Sequence, residues 1–127
     1  MSHTFSWKNG GLYWVWSGTL DTDGLIKANS QLVGRPEYEK IKFIIWDSTW
    51  VDKFEDNGKL VQLTATFATQ ANRYNRNVKV AFVAQNKRLI ELIEQYIQLS
   101  EEKLPHTHGQ QRLFMSTDEA QAWVDTE

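Results

Sequence analysis

The sequence predicts an α/β domain with a mostly parallel sheet of about five strands and four helices, in the order β-β-α-β-α-β-α-β-α. Three observations predict it. Two near-continuous apolar runs, Ile41 to Trp46 and Val78 to Ala84, suit strands covered on both faces. The segments after each of them repeat apolar residues at helical spacing, as crossover connections between parallel strands do. Ahead of these lies Asn9-Gly10-Gly11, a tight-turn signal between two short strand patterns.

The first strand is expected over Thr4 to Lys8 and the second over Leu12 to Gly18. In the second, Leu12, Trp14 and Trp16 share one face while Tyr13 and Val15 occupy the other, which marks a central strand. Asp21 or Asp23 caps a helix that runs to Gly34, with Leu25, Ile26, Asn29, Leu32 and Val33 as its inward stripe. Pro36 keeps the next stretch out of helix. After the strand Ile41 to Trp46, a helix over Lys59 to Asn75 presents Leu60, Leu63, Phe67, Ala71 and Tyr74 to the core. After Val78 to Ala84, the helix Lys87 to Lys103 does so with Leu89, Ile90, Ile93, Tyr96 and Ile97, and Pro105 marks its end. Arg112 to Met115 is the last strand. Ser116 or Thr117, with Glu119, forms a capping box for a terminal helix carrying Ala120, Trp123 and Val124.

A chain of 127 residues supports one domain, and its lack of cysteine excludes disulfides and thiolate chemistry and favours a cytoplasmic setting. With a net charge of −2, no long-range field draws in a nucleic-acid backbone. The N-terminal stretch is not a secretion signal, and no apolar run is long enough to span a membrane. Neither GxGxxG nor GxxxxGK[ST] occurs, so neither a dinucleotide nor a phosphate loop is predicted.

The stretch from Ile41 to Gly58, IKFIIWDSTWVDKFEDNG, is the candidate site. An apolar strand ends at Asp47, a loop from Ser48 follows, and Asp56-Asn57-Gly58 precedes a helix N-terminus. Open α/β sheets bind ligands at such strand ends. Trp46 and Trp50 flank Asp47 and bring amphipathic rings to the site. The candidate binding residues are Trp46, Asp47, Ser48, Thr49, Trp50, Asp56, Asn57 and Gly58.

The strand ending in IIWD, the VDKFEDNGKLVQL passage into a helix, the VKVAFVA strand and the closing LFMSTDEAQAWV together resemble the SpoIIAA-like, or STAS-type, domain family. The resemblance spans nearly all of residues 1–127, implies a single domain, and is nearest to the family's uncharacterised bacterial branch. In the family's anti-sigma factor antagonists a serine in an aspartate-serine-serine-glycine turn is phosphorylated to switch partner binding. Here Asp56-Asn57-Gly58 keeps the acid and the glycine but lacks the hydroxyl. Ser48 and Thr49 are the nearest hydroxyls, with turn hydrogen bonding as their simpler role. The related, lipid-transferring CRAL-TRIO architecture implies ligand carriage as a variant.

Asp47 has two readings: a desolvated general base, or an acceptor for the backbone after it. As an enzyme it would pair with Asp52 or Asp56, with Glu55 nearby. A solvated acidic loop explains those carboxylates with fewer assumptions. His106 and His108 alternate in PHTHG but leave a zinc site unfinished even with Glu101 or Glu102, so no metal is assigned. His3 is placed near a mobile terminus. Arg73, Arg76, Lys79, Lys87 and Arg88 cluster around the ends of the fourth strand, as an anion-receiving group or a solvated surface. The expectation is a non-enzymatic binding or regulatory domain that holds a protein partner or a small apolar molecule near Ser48 to Gly58, without a cofactor. A small hydrolase using Asp47 with Asp52 or Asp56 is the alternative. An exposed sheet edge and the aromatic surplus are compatible with a homodimer.

Overall fold

The computed structural model describes residues 2–32, 35–55 and 58–126. Strands β1 (Ser2–Lys8) and β2 (Gly11–Leu20) form a hairpin. Helix α1 (Thr22–Leu32) and a 3-10 turn (Pro36–Glu39) lead to β3 (Phe43–Phe54), and α2 (Gly58–Ala71) leads to β4 (Lys79–Val83). Helix α3 (Lys87–Lys103) and a second 3-10 turn (Pro105–Thr107) precede β5 (Gln111–Phe114) and α4 (Thr117–Val124). The order is the expected one.

The sheet runs β1-β2-β3-β4-β5; β1 is antiparallel to β2 and every other pair is parallel. At the hairpin, Asn9 and Gly10 take φ of 56° and 79°, the paired left-handed conformation that lets a two-residue turn follow the strand twist. Each later crossover steps one strand in the same direction. Connections of one hand therefore put α1, α2 and α3 on a single face. Helix α4, coming after the last strand, folds back across the other face.

Two cores result. On the three-helix face Leu12, Trp14, Trp16 and Ile44 pack against Leu25, Ala28, Leu32 and Leu60, continuing through Phe82 to Leu89, Leu92 and Tyr96. On the α4 face Phe43, Ile45, Ala81 and Val83 meet Ala120 and Val124. Two-sided burial explains why β3 and β4 read as unbroken apolar runs.

Asp21 caps α1, its Oδ1 accepting from Gly24 N–H at 2.8 Å. Ile26 is exposed, so the inward stripe is Leu25, Ala28, Asn29 and Leu32, while Val33 and Gly34 lie outside the described residues. Helix α2 stops at Ala71, leaving Tyr74 exposed beyond it. Asn86 caps α3 through Leu89 N–H at 3.0 Å, and Ser116 caps α4 through Glu119 N–H at 3.2 Å. His3 corrects its expectation: it lies on β1 opposite Trp16, stacked on that ring with centroids 5.2 Å apart. Among the described residues no helix is long and apolar enough to cross a membrane.

Candidate functional site

Strand β3 does not end at Asp47. It continues to Phe54 because β2 is long enough to pair with it: Ser17 lies opposite Trp50, Gly18 opposite Val51 and Leu20 opposite Phe54. The expected loop is therefore strand over Ser48 to Phe54. The register shifts between Val15 and Ser17, where two steps on β2 match three on β3. This bulge carries the polar residues that read as a turn.

Asp47 sits at the bulge and is 8% exposed. Its Oδ1 accepts from Thr49 N–H at 2.9 Å, replacing a ladder bond that the bulge disrupts. The backbone-acceptor reading of Asp47 is the one the geometry shows. Its register partners Val15 and Val83 put it on the α4 face. Trp46, one residue earlier, points to the three-helix face, where it stacks on Trp16 at 5.2 Å and 10°. The two tryptophans therefore do not flank one pocket. Trp50, opposite Ser17, is on the α4 face and 63% exposed. Ser48 is 4% exposed and turned inward, so phosphate could reach it only if the strand opened, and Thr49 is half-buried.

Gly58 begins α2, and Asp56 and Asn57 lie outside the described residues. Glu55 is not a solvated loop residue. Its Oε1 accepts from Thr22 N–H at 3.0 Å and from Thr22 Oγ1 at 3.3 Å, tying the end of β3 to the start of α1. Asp52 lies five residues beyond Asp47 on one strand, a rise of roughly 15 Å. Paired catalytic carboxylates stand about 5–9.5 Å apart, so Asp47 and Asp52 do not form such a pair.

The basic residues divide between opposite ends of β4. Lys79 at its start donates to the Thr126 carbonyl at 2.7 Å, whereas Lys87 and Arg88 open α3 beyond its end, Arg88 pairing with Glu91 at 2.9 Å. His106 is exposed, and His108 Nδ1 lies 3.0 Å from Glu101 Oε2.

Two cavities lie between the sheet and the helices of the three-helix face. The larger, about 90 Å³, is at the strands' N-terminal ends; the smaller, about 50 Å³, is beneath the start of α2 and includes Ser48. Trp46, Thr64, Phe82 and Tyr96 wall both. Tyr38, Asn29, Ser100 and Gln111 bring polar groups into the larger one. Gln111 Nε2 donates to Ser100 Oγ at 3.0 Å. Burial pushes the Tyr38 hydroxyl up to about 12 and raises that of Tyr96, which hydrogen-bonds Ser100. From helical spacing Tyr96 is core filler, and Tyr38, Ser100 and Gln111 are not among the residues singled out. The available signal was Ser100, a small polar residue one turn after Tyr96 on the same inward stripe.

The chain adopts the SpoIIAA-like fold that its sequence resemblance implied. An anti-sigma factor antagonist from Mycobacterium paratuberculosis superimposes with a TM-score of 0.66 at 15% identity, over 98% of this chain and 94% of that one. The anti-sigma factor antagonist SpoIIAA in its unphosphorylated form gives 0.66 at 10% identity, over 99% and 100%. An uncharacterised Shewanella loihica protein with a SpoIIAA-like fold gives 0.52 at 14% identity, over 97% and 92%. No protein-family model and no curated protein matches the sequence.

Proposed function

We propose that this chain is a non-enzymatic regulatory domain, acting as one unit in the cytoplasm, that binds a protein partner through the outer face of β3 around Trp50. The observation that carries the reading is the exposure of that indole. A large amphipathic ring held at 63% exposure on a strand, not on a flexible tip, is preorganised for an interface. Helix α4 packs over β3, β4 and β5, while Thr4 and Ser6 on the same side of β1 are exposed, so that corner of the sheet is open. Two neighbours of the same fold, matched over nearly their whole length, are anti-sigma factor antagonists, which supports a protein as the ligand. The chemistry points the same way: Asp47 is engaged by backbone and has no carboxylate partner in Asp52. Among the described residues no group of three His, Cys, Asp or Glu is arranged to hold a metal.

The test is paired affinity capture from the native cells, with wild type and Trp50→Ala as baits. A protein held by the first and lost by the second supports the reading; the same proteins on both baits contradict it. Trp50→Ala should change stability by no more than about 0.5 kcal/mol, because the ring is largely in solvent.

A further inference from the structure

The geometry points to a second, interior binding site: the paired cavities beneath α2 and α3 take a small aromatic molecule that carries one hydroxyl group. The size fits. An apolar cavity of about 150 Å³ accepts a benzene ring; here a space of about 90 Å³ adjoins one of about 50 Å³ across the shared walls Trp46, Thr64, Phe82 and Tyr96, so one small ring is the most the site can hold. The walls fit as well. Trp46 and Phe82, whose ring centroids are 5.5 Å apart, lie on the sheet side, Phe67 and Ala68 come from α2, and these surfaces receive a flat apolar ring by offset or edge contacts.

The larger cavity carries the polar groups. Ser100 and Gln111 are 2% and 8% exposed and already bonded to each other, and Tyr38 is 4% exposed. Among the described residues no side-chain hydrogen bond engages the Tyr38 hydroxyl, whereas its carbonyl accepts from Asn75 at 3.0 Å. A hydroxyl on a cavity-lining residue, without a protein partner, selects a ligand able to hydrogen-bond. The half-buried Asn72, Asn75 and Gln110 line the cavity at the strands' N-terminal ends, away from Trp50. The site is therefore independent of the partner surface.

Phenol is the probe and amide chemical shifts are the readout. Saturable shifts at Thr64, Tyr96 and Ser100 are expected, with benzene binding about fivefold more weakly for want of the hydrogen bond. Ala68→Leu, which fills the cavity, should abolish them. Tyr38→Phe keeps the shape and should reduce phenol affinity to near that of benzene, so it decides the matter if the Leu variant does not fold. Trp50→Ala should leave phenol binding unchanged. Non-saturating shifts, shifts scattered over the surface, equal affinity for phenol and benzene, or indifference to Tyr38→Phe would each overturn the proposal.

Discussion

The indole N–H of Trp14 donates to Nδ1 of His3 at 3.1 Å across the β1–β2 pair. Indole nitrogen is only a donor, so His3 Nδ1 must be unprotonated, and the ring is neutral with its proton on Nε2. Burial lowers the His3 pKa below 6.5 in the folded chain. Unfolded, the same ring takes up its proton near 6.5 and so binds more protons than the folded state below that pH. The stabilisation from this group is full above 6.5 and is lost as pH falls towards the folded value. Thermal unfolding of wild type should therefore weaken between pH 7 and pH 5 more than that of His3→Phe. Equal pH slopes would show that His3 does not titrate on unfolding.

Gly11 is a matter of space. A Cβ there would overlap the Phe43 ring, which is 4% exposed and held edge-on by Tyr13 at 5.6 Å. The ring has nowhere to go. Gly11→Ala should cost about 1–3 kcal/mol in chemical denaturation, the usual range for overpacking. A loss below about 0.5 kcal/mol would mean that the hairpin shifts freely.

Asp47 separates structure from catalysis. Asp47→Asn keeps an oxygen for the Thr49 N–H and should stay within about 0.5 kcal/mol of wild type, whereas Asp47→Ala leaves that donor unpaired and should cost about 1–3 kcal/mol. Equal losses in urea unfolding would mean that the charge, not the hydrogen bond, is what the bulge needs.

Much of the fold is legible because its determinants are local. The Asn9-Gly10 turn, the Asp21 and Ser116 caps and the two-sided apolar runs each declare their element. The site was less legible, for a physical reason. Asp47-Ser48-Thr49 has the composition of a turn, yet the length of β2 decides that it remains strand, and partner length is a tertiary property. That one continuation sends Trp46 and Trp50 to opposite faces. The cavity polar groups come from the first 3-10 turn, α1, α3 and β5, so no spacing within one segment brings Tyr38 to Ser100 and Gln111.

A partner protein docked on the outer face of β3 would contact Trp50 first. The most direct measurement places a photo-activated benzoylphenylalanine at position 50 in cells, with the same group at position 74, where the exposed Tyr74 lies past the far end of α2, as the comparison. A discrete crosslinked protein at position 50, absent at position 74, is expected. Crosslinks at neither position, or the same ones at both, would contradict it.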